Sequence, residues 1–145
     1  MSVGVGAGDQ ALGERDRALG FAEPGERMGS MMAPSVVLDG DSPVLAIGAA
    51  GGTRLRSALV QVAAGVLDEG LPLQDAIDRP RLHPTPGRVQ LEPGFGETAI
   101  DALAVNGFEP RVWPDRHHFF GGVSAVTPSA AAGDPRRSGA AATVQ

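Results

Sequence analysis

Residues 43–59, PVLAIGAAGGTRLRSAL, hold the residue pattern best suited to chemistry. The aliphatic run Val44-Leu45-Ala46-Ile47 has the length and content of a buried strand. Gly48, Gly51 and Gly52 then permit backbone angles and close approaches that side chains forbid. Thr53 stands where a helix N-cap belongs, and Leu55, Ala58, Leu59, Val62 and Val66 recur on one helical face. Such a turn aims two unhindered N–H groups and the positive end of a helix dipole at one point. It suits an anion site or an oxyanion hole, and equally a plain strand–helix connection. A dinucleotide site fits less well, because the spacing is GxxGG rather than GxGxxG and no further βα repeat follows. A P-loop lacks its Lys-Ser/Thr ending.

The elements that must hold this turn can be read along the chain. Residues 1–30 carry no periodicity and read as an arm or loop, with the remaining 31–145 as one domain portion. Residues 35–39 and 43–47 are apolar runs joined by Gly40-Asp41-Ser42, a hairpin signal. A helix is expected over 53–69 with Gly70 as its stop, and a short one over 73–79 ended by Pro80. Val89-Gln90-Leu91 alternates as a strand does, and 96–106 reads as a helix with Ile100, Leu103 and Ala104 on one side. Residues 108–113 and 119–126 read as two closing strands, followed by an Ala- and Gly-rich tail. Hairpin, helices, hairpin suits a layered α+β domain better than a parallel βαβ one.

Composition narrows the function classes. The chain has 145 residues and is 42% hydrophobic, enough for a core, but only 4% aromatic, so aliphatic side chains and alanine must fill it. The net charge of −5 argues against nucleic acid as a partner. No cysteine is present, which removes disulfides, thiolate nucleophiles and cysteine metal sites. His83, His117 and His118 are too scattered for a metal site, with His83 read as a structural hydrogen-bonder and the other two as solvated. No apolar run approaches the roughly 20 residues of a membrane span, and the first residues lack signal-peptide character, so a cytoplasmic location is expected of the chain as written.

Several segments together carry a family likeness. Residues 26–34, ERMGSMMAP, resemble the arginine–serine loop of the γ-glutamyltransferases (γ-glutamyltranspeptidases), and GAAGGTR at 48–54 is similar to that family's Gly-Gly oxyanion turn. AIDRPRLH at 76–83, EPGF at 92–95 and DPRR at 134–137 resemble further segments of the family in the same order, from about residue 8 to the end. The resemblance implies part of the N-terminal-nucleophile hydrolase fold, a four-layer αββα sandwich. It implies an enzyme whose N-terminal threonine attacks the γ-glutamyl amide of glutathione or a related donor. The acyl group then passes to water, an amino acid or a peptide, without metal or organic cofactor.

By the same resemblance, Gly51 and Gly52 supply the oxyanion N–H groups, Ser30 holds the donor's α-carboxylate, and Arg27 is a positioning residue of the same loop. The family's second serine is Met31 here, so that hydroxyl is missing. Glu14 lies where the family places an acidic residue against the donor's α-amino group. The first threonine is Thr53, inside the glycine turn, and no Thr-x-His cleavage site is present. The expectation is therefore the C-terminal part of a small subunit, with the nucleophile absent and a large subunit or missing N-terminal segment as partner. Family members are often periplasmic, secreted or membrane-anchored. The rival expectation is a degenerate, non-catalytic remnant that binds some partner.

Overall fold

A computed structural model describes residues 31–142. β1 (Ser35–Asp39) and β2 (Ser42–Ala50) form the expected hairpin, with Gly40 at φ 58° in its turn. β2 runs into a single 3₁₀ turn, Gly52–Arg54, and then α1 (Leu55–Leu67). α2 (Leu73–Asp78) follows and ends before Pro80. β3 (Leu82–Thr85), β4 (Arg88–Leu91), α3 (Glu97–Val105) and β5 (Glu109–Val112) come next, and β6 (Gly122–Val126) and β7 (Ala131–Gly133) close the chain.

Two sheets result. The larger is antiparallel throughout, in the order β1-β2-β6-β7, and the smaller has the order β3-β4-β5 with β4 and β5 parallel. The two late strands thus do not form a hairpin, as their succession suggests. β5 joins β4 after the α3 crossover, while β6 returns to the centre of the other sheet beside β2. The reason is burial: Val123 and Ala125 of β6 are buried in the aliphatic core, whereas Val112 of β5 stays exposed. Phe119 and Phe120, expected as the start of a strand, instead fall in a 3₁₀ turn (His118–Phe120), and the alanine-rich tail supplies β7.

The core lies on one face of the larger sheet. Leu45 and Ile47 of β2, Val123 and Ala125 of β6 and Ala132 of β7 point toward Ala58 and Val62 of α1 and Leu73, Ala76 and Ile77 of α2. The helical period read from sequence supplies this stripe. Gly65 lies inside α1 because α2 crosses there: a Cβ would stand 3.3 Å from Ala76 Cβ. The opposite face of the sheet stays open: Val36 and Val126 line a groove of about 640 Å³, and Leu38 is exposed as well. α3 forms where expected but buries no residue.

Candidate functional site

Glycine fits at residue 51 for two independent reasons. Its φ of 142° is a backbone setting that side chains rarely adopt, and a Cβ there would stand 2.8 Å from Gly121 Cα. The turn after β2 is therefore packed backbone-on-backbone against the residue preceding β6. Gly52 follows at φ 62° and opens the 3₁₀ turn. Thr53 is not the helix N-cap: it lies within the 3₁₀ turn, Arg54 occupies the N-cap position of α1, and neither cap is closed by a side chain. Thr53 Oγ1 instead accepts from Arg54 Nη1 at 3.3 Å. Among the described residues no backbone carbonyl accepts from the Gly51 or Gly52 N–H. Two donors without a backbone acceptor among the described residues thus stand just before a 13-residue helix, whose N-terminal end carries positive partial charge.

Of the other residues expected at the site, Met31 reaches it. Its Sδ is 4.0 Å from where a Cβ on Gly52 would stand, and the side chain is half-exposed. Arg27, Ser30 and Glu14 lie outside the described residues.

Behind the turn sits a buried four-charge cluster that sequence reasoning treated only as family segments. Arg136 donates from Nε to Glu92 Oε1 at 2.8 Å, from Nη2 to Glu92 Oε2, and from Nη1 to Asp134 Oδ1 at 3.2 Å. Arg81 pairs with Asp134 Oδ2 at 2.7 Å. All four side chains are at most 2% exposed, except that whole-residue exposure of Arg136 reaches 7%. The two arginines also donate to Ile77 O, at 3.0 and 2.8 Å, and Arg136 to Arg79 O at 2.7 Å, so cations close the carbonyl end of α2. Burial alone would raise the Asp134 pKa. The Arg81 charge and the backbone N–H groups of Arg136 and Val123 outweigh it and hold the carboxyl below its usual value. Burial and the charge of Arg136 lower the pKa of Arg81. For Arg136, burial is outweighed by the bond and charge of Glu92, with Asp134 adding to them, and the net shift is upward.

This cluster positions the glycine turn. Arg81 Nη1 donates to Gly121 O at 3.3 Å, and Asp134 Oδ2 accepts from Val123 N at 2.9 Å. The segment against which Gly51 packs is thereby held from both ends. A sequence signal existed in the second glycine pair, Gly121-Gly122, but its partner is some 70 residues away and periodicity cannot pair them.

Two of the three histidines do structural work, and His118 is exposed as expected. His83 Nδ1 and Ser57 Oγ are 2.7 Å apart, tying β3 to α1. Beside them the Gln61 amide imitates a strand: it accepts from Leu82 N at 3.0 Å and donates to Leu82 O at 2.8 Å. Burial, then the charges of Arg54 and Arg56, lower the His83 pKa. His117 is not simply solvated, since its Nδ1 accepts from Phe119 N at 3.1 Å and its ring lies against Trp113. Arg54 reaches this aromatic group, with its guanidinium carbon 4.6 Å from the Phe119 ring centre. Among the described residues no group of three or more acidic or histidine side chains could hold a metal ion, and no helix is long and apolar enough to cross a membrane.

Comparison with known proteins agrees with this architecture. The gamma-glutamyltranspeptidase family profile matches residues 8–144. The chain is 36% identical over 124 residues to the glutathione hydrolase 5 proenzyme of Mus musculus, covering 81% of this chain and 22% of that one. Its fold superposes on the Bacillus anthracis transpeptidase enzyme CapD with a TM-score of 0.73 at 26% identity, covering 83% and 75% of the two chains. It superposes on the gamma-glutamyltranspeptidase from Pseudomonas nitroreducens complexed with L-DON with a TM-score of 0.70 at 32% identity, covering 86% and 67%. The chain spans less than half the length of the curated relatives it matches. The mixed fold is that of the N-terminal-nucleophile hydrolases: the larger sheet with α1 and α2 on one face provides an α and a β layer.

Proposed function

The chain belongs to the gamma-glutamyltranspeptidase family, an enzyme family, and from that premise we infer that it forms the acyl-binding part of a γ-glutamyltransferase or glutathione hydrolase. The observation that carries the reading is the Gly51-Gly52 turn, with both N–H groups free among the described residues at the start of α1. In the reaction, a threonine hydroxyl adds to the γ-carbonyl carbon of a glutathione-like donor and the carbonyl oxygen takes the negative charge. Gly51 and Gly52 N–H donate to that oxygen, and the tetrahedral adduct collapses, expelling the protonated amine and leaving a γ-glutamyl ester. Water or the amine of an amino acid or peptide then attacks the ester, through a second oxyanion at the same turn. Removing one such donor costs about 3–4 kcal/mol of transition-state stabilisation.

In this reading the nucleophilic threonine is the first residue of the small subunit, which no threonine of these 145 residues matches, and the large subunit is its partner. Its seat is the open face of the larger sheet, where Val36, Leu38 and Val126 present an apolar surface that a second sheet would bury. By the resemblance, Arg27, Ser30 and Met31 belong to the substrate loop, and Glu14, from a separate segment, meets the donor's α-amino group.

The test is release of a chromogenic anilide from its γ-glutamyl derivative, with and without an acceptor dipeptide. The full chain alone is expected to release none. Combined with the large subunit and small-subunit start of the Pseudomonas nitroreducens relative, it is expected to become active, and Gly51→Ala to abolish that activity. A complex that assembles but stays inactive would favour the rival reading of a non-catalytic remnant, for which the methionine at residue 31 speaks.

A further inference from the structure

Arg54 spans the glycine turn and the segment on which the turn packs. Its Nε donates to Phe119 O at 3.2 Å, a carbonyl 65 residues away, and its Nη1 donates to Thr53 Oγ1 at 3.3 Å. One guanidinium thus joins the residue that follows the glycine pair to a distant stretch of backbone. The same group lies over the Phe119 ring, 4.6 Å from its centre, and that ring is stacked on Trp113 at 4.8 Å. Phe119 is itself fixed: its N–H donates to His117 Nδ1 at 3.1 Å, and His117 N donates to Glu92 Oε1 of the buried charge cluster at 3.2 Å.

The turn has need of such a tie. The ladder between β2 and β6 ends at Ala50 and Gly122, and α1 is anchored from Leu55 and Ala58 onward by their burial. Between these supports, Gly51 and Gly52 carry no side chain, and neither the 3₁₀ turn nor α1 is closed by a side-chain cap. The close approach of Gly51 to Gly121 sets a distance but not a direction. Among the described residues, the hydrogen bond that crosses from residues 51–54 to residues 118–121 is the one from Arg54 Nε. Two peptide N–H groups stabilise an oxyanion only when both are aimed at it, and a glycine backbone does not hold a direction unaided.

We propose that Arg54 is the positioning residue of the glycine turn: by bridging Thr53 Oγ1 and Phe119 O it holds the Gly51 and Gly52 N–H groups in one fixed orientation. Its consequence for rate rests on reading the turn as the acyl site. Arg54 acts through the backbone and does not touch the substrate. Lysine replaces it only in part, because an ammonium lacks the planar fork that serves two acceptors at fixed spacing.

The test uses the full chain labelled with ¹⁵N, and the complex with the Pseudomonas nitroreducens segments. Backbone ¹⁵N relaxation of Gly51 and Gly52 reports the turn, and that of Leu45 and Val62 reports the core. The glycine order parameters are expected near the value of about 0.85 found for rigid backbone, and below about 0.6 in Arg54→Met, with the core residues unchanged. Arg54→Lys should fall between. Arg56→Met is the charge control: both methionine variants remove a cation that lowers the His83 pKa and should raise it, but only Arg54→Met should loosen the glycines. In the complex, Arg54→Met should lower kcat about tenfold to a hundredfold with little change in KM, because the donors are misplaced for the transition state. Rigid glycines in Arg54→Met, or equal loosening in Arg56→Met, overturn the proposal. Loosening of Leu45 and Val62 in both the Met and Lys variants also overturns it, since Arg54 would then support the fold at large. Loosened glycines with unchanged kcat, or with an unaltered complex that is inactive, refute the reading of the turn as the acyl site while the positioning stands.

Discussion

Replacing Arg136 by methionine removes one cation from a buried group of two cations and two anions. The side chain is fully buried and makes five contacts: two to Glu92, one to Asp134 and one each to Ile77 O and Arg79 O. Asp134 would keep Arg81, and Ile77 O would keep the Arg81 Nη2 donor. Glu92 would be worse placed: its side chain is 1% exposed and would retain only the backbone donors Arg81 N at 2.9 Å and His117 N at 3.2 Å. Stranding one member of a buried ion pair costs about 3–5 kcal/mol. Against a total of roughly 5–15 kcal/mol for a domain, that is about a fifth of the stability or more. With a urea slope of about 1–3 kcal/mol/M, the unfolding midpoint of the full chain should fall by roughly 2 M. The double variant Arg136→Met/Glu92→Met removes both charges and should be more stable than the sum of its singles implies, by about 2 kcal/mol or more. Arg88→Met is the control, since its pair with Glu109 is exposed and is worth about 0–1 kcal/mol. If Arg136→Met costs no more than this control, the cluster does not clamp the fold and the argument that it positions the turn fails with it.

Three further outcomes follow from the same geometry. Gly51→Ala must tolerate both φ 142° and a 2.8 Å approach to Gly121 Cα, and should lose about 2–4 kcal/mol in urea unfolding, while Gly48→Ala, with open space around it, should change little. Gln61→Met leaves both polar groups of Leu82 without their partner and should cost about 1–3 kcal/mol, with faster hydrogen exchange at the Leu82 amide. Stability should also fall in two stages as the medium is acidified. Because the native His83 pKa is lowered from 6.5, the unfolded chain takes up that proton first, so its contribution is present above about pH 6.5 and is lost as the pH falls through the native value. Asp134, lowered from 3.8, likewise contributes fully above about pH 3.8 and is lost below it. Urea midpoints between pH 8 and 3 check this, and a gain in stability between pH 7.5 and 5.5 would contradict the His83 argument.

The sequence by itself determined whatever depends on neighbours a few residues apart. The β1–β2 hairpin follows from two apolar runs around Gly40-Asp41-Ser42, and α1 from the recurrence of Leu55, Ala58 and Val62 at helical spacing. The glycine pair before α1 marked the turn, because such a backbone needs residues without side chains. Thr53, which precedes the apolar stripe, is not the cap, since a 3₁₀ turn intervenes and moves the N-cap to Arg54. Tertiary structure alone decided the rest. β5 and β6, adjacent in the chain, went to different sheets because burial of Val123 and Ala125 outweighs local pairing. Gly51 met Gly121, and Arg136 met Glu92 across 44 residues, through contacts that have no period and leave no local trace. Identical residue types in sequence, Arg136 and Arg137, received opposite environments, one sealed among carboxylates and one turned to a cavity. The 3₁₀ turn at 135–137 sends successive side chains in different directions, and only the packed chain around it fixes which arginine is buried.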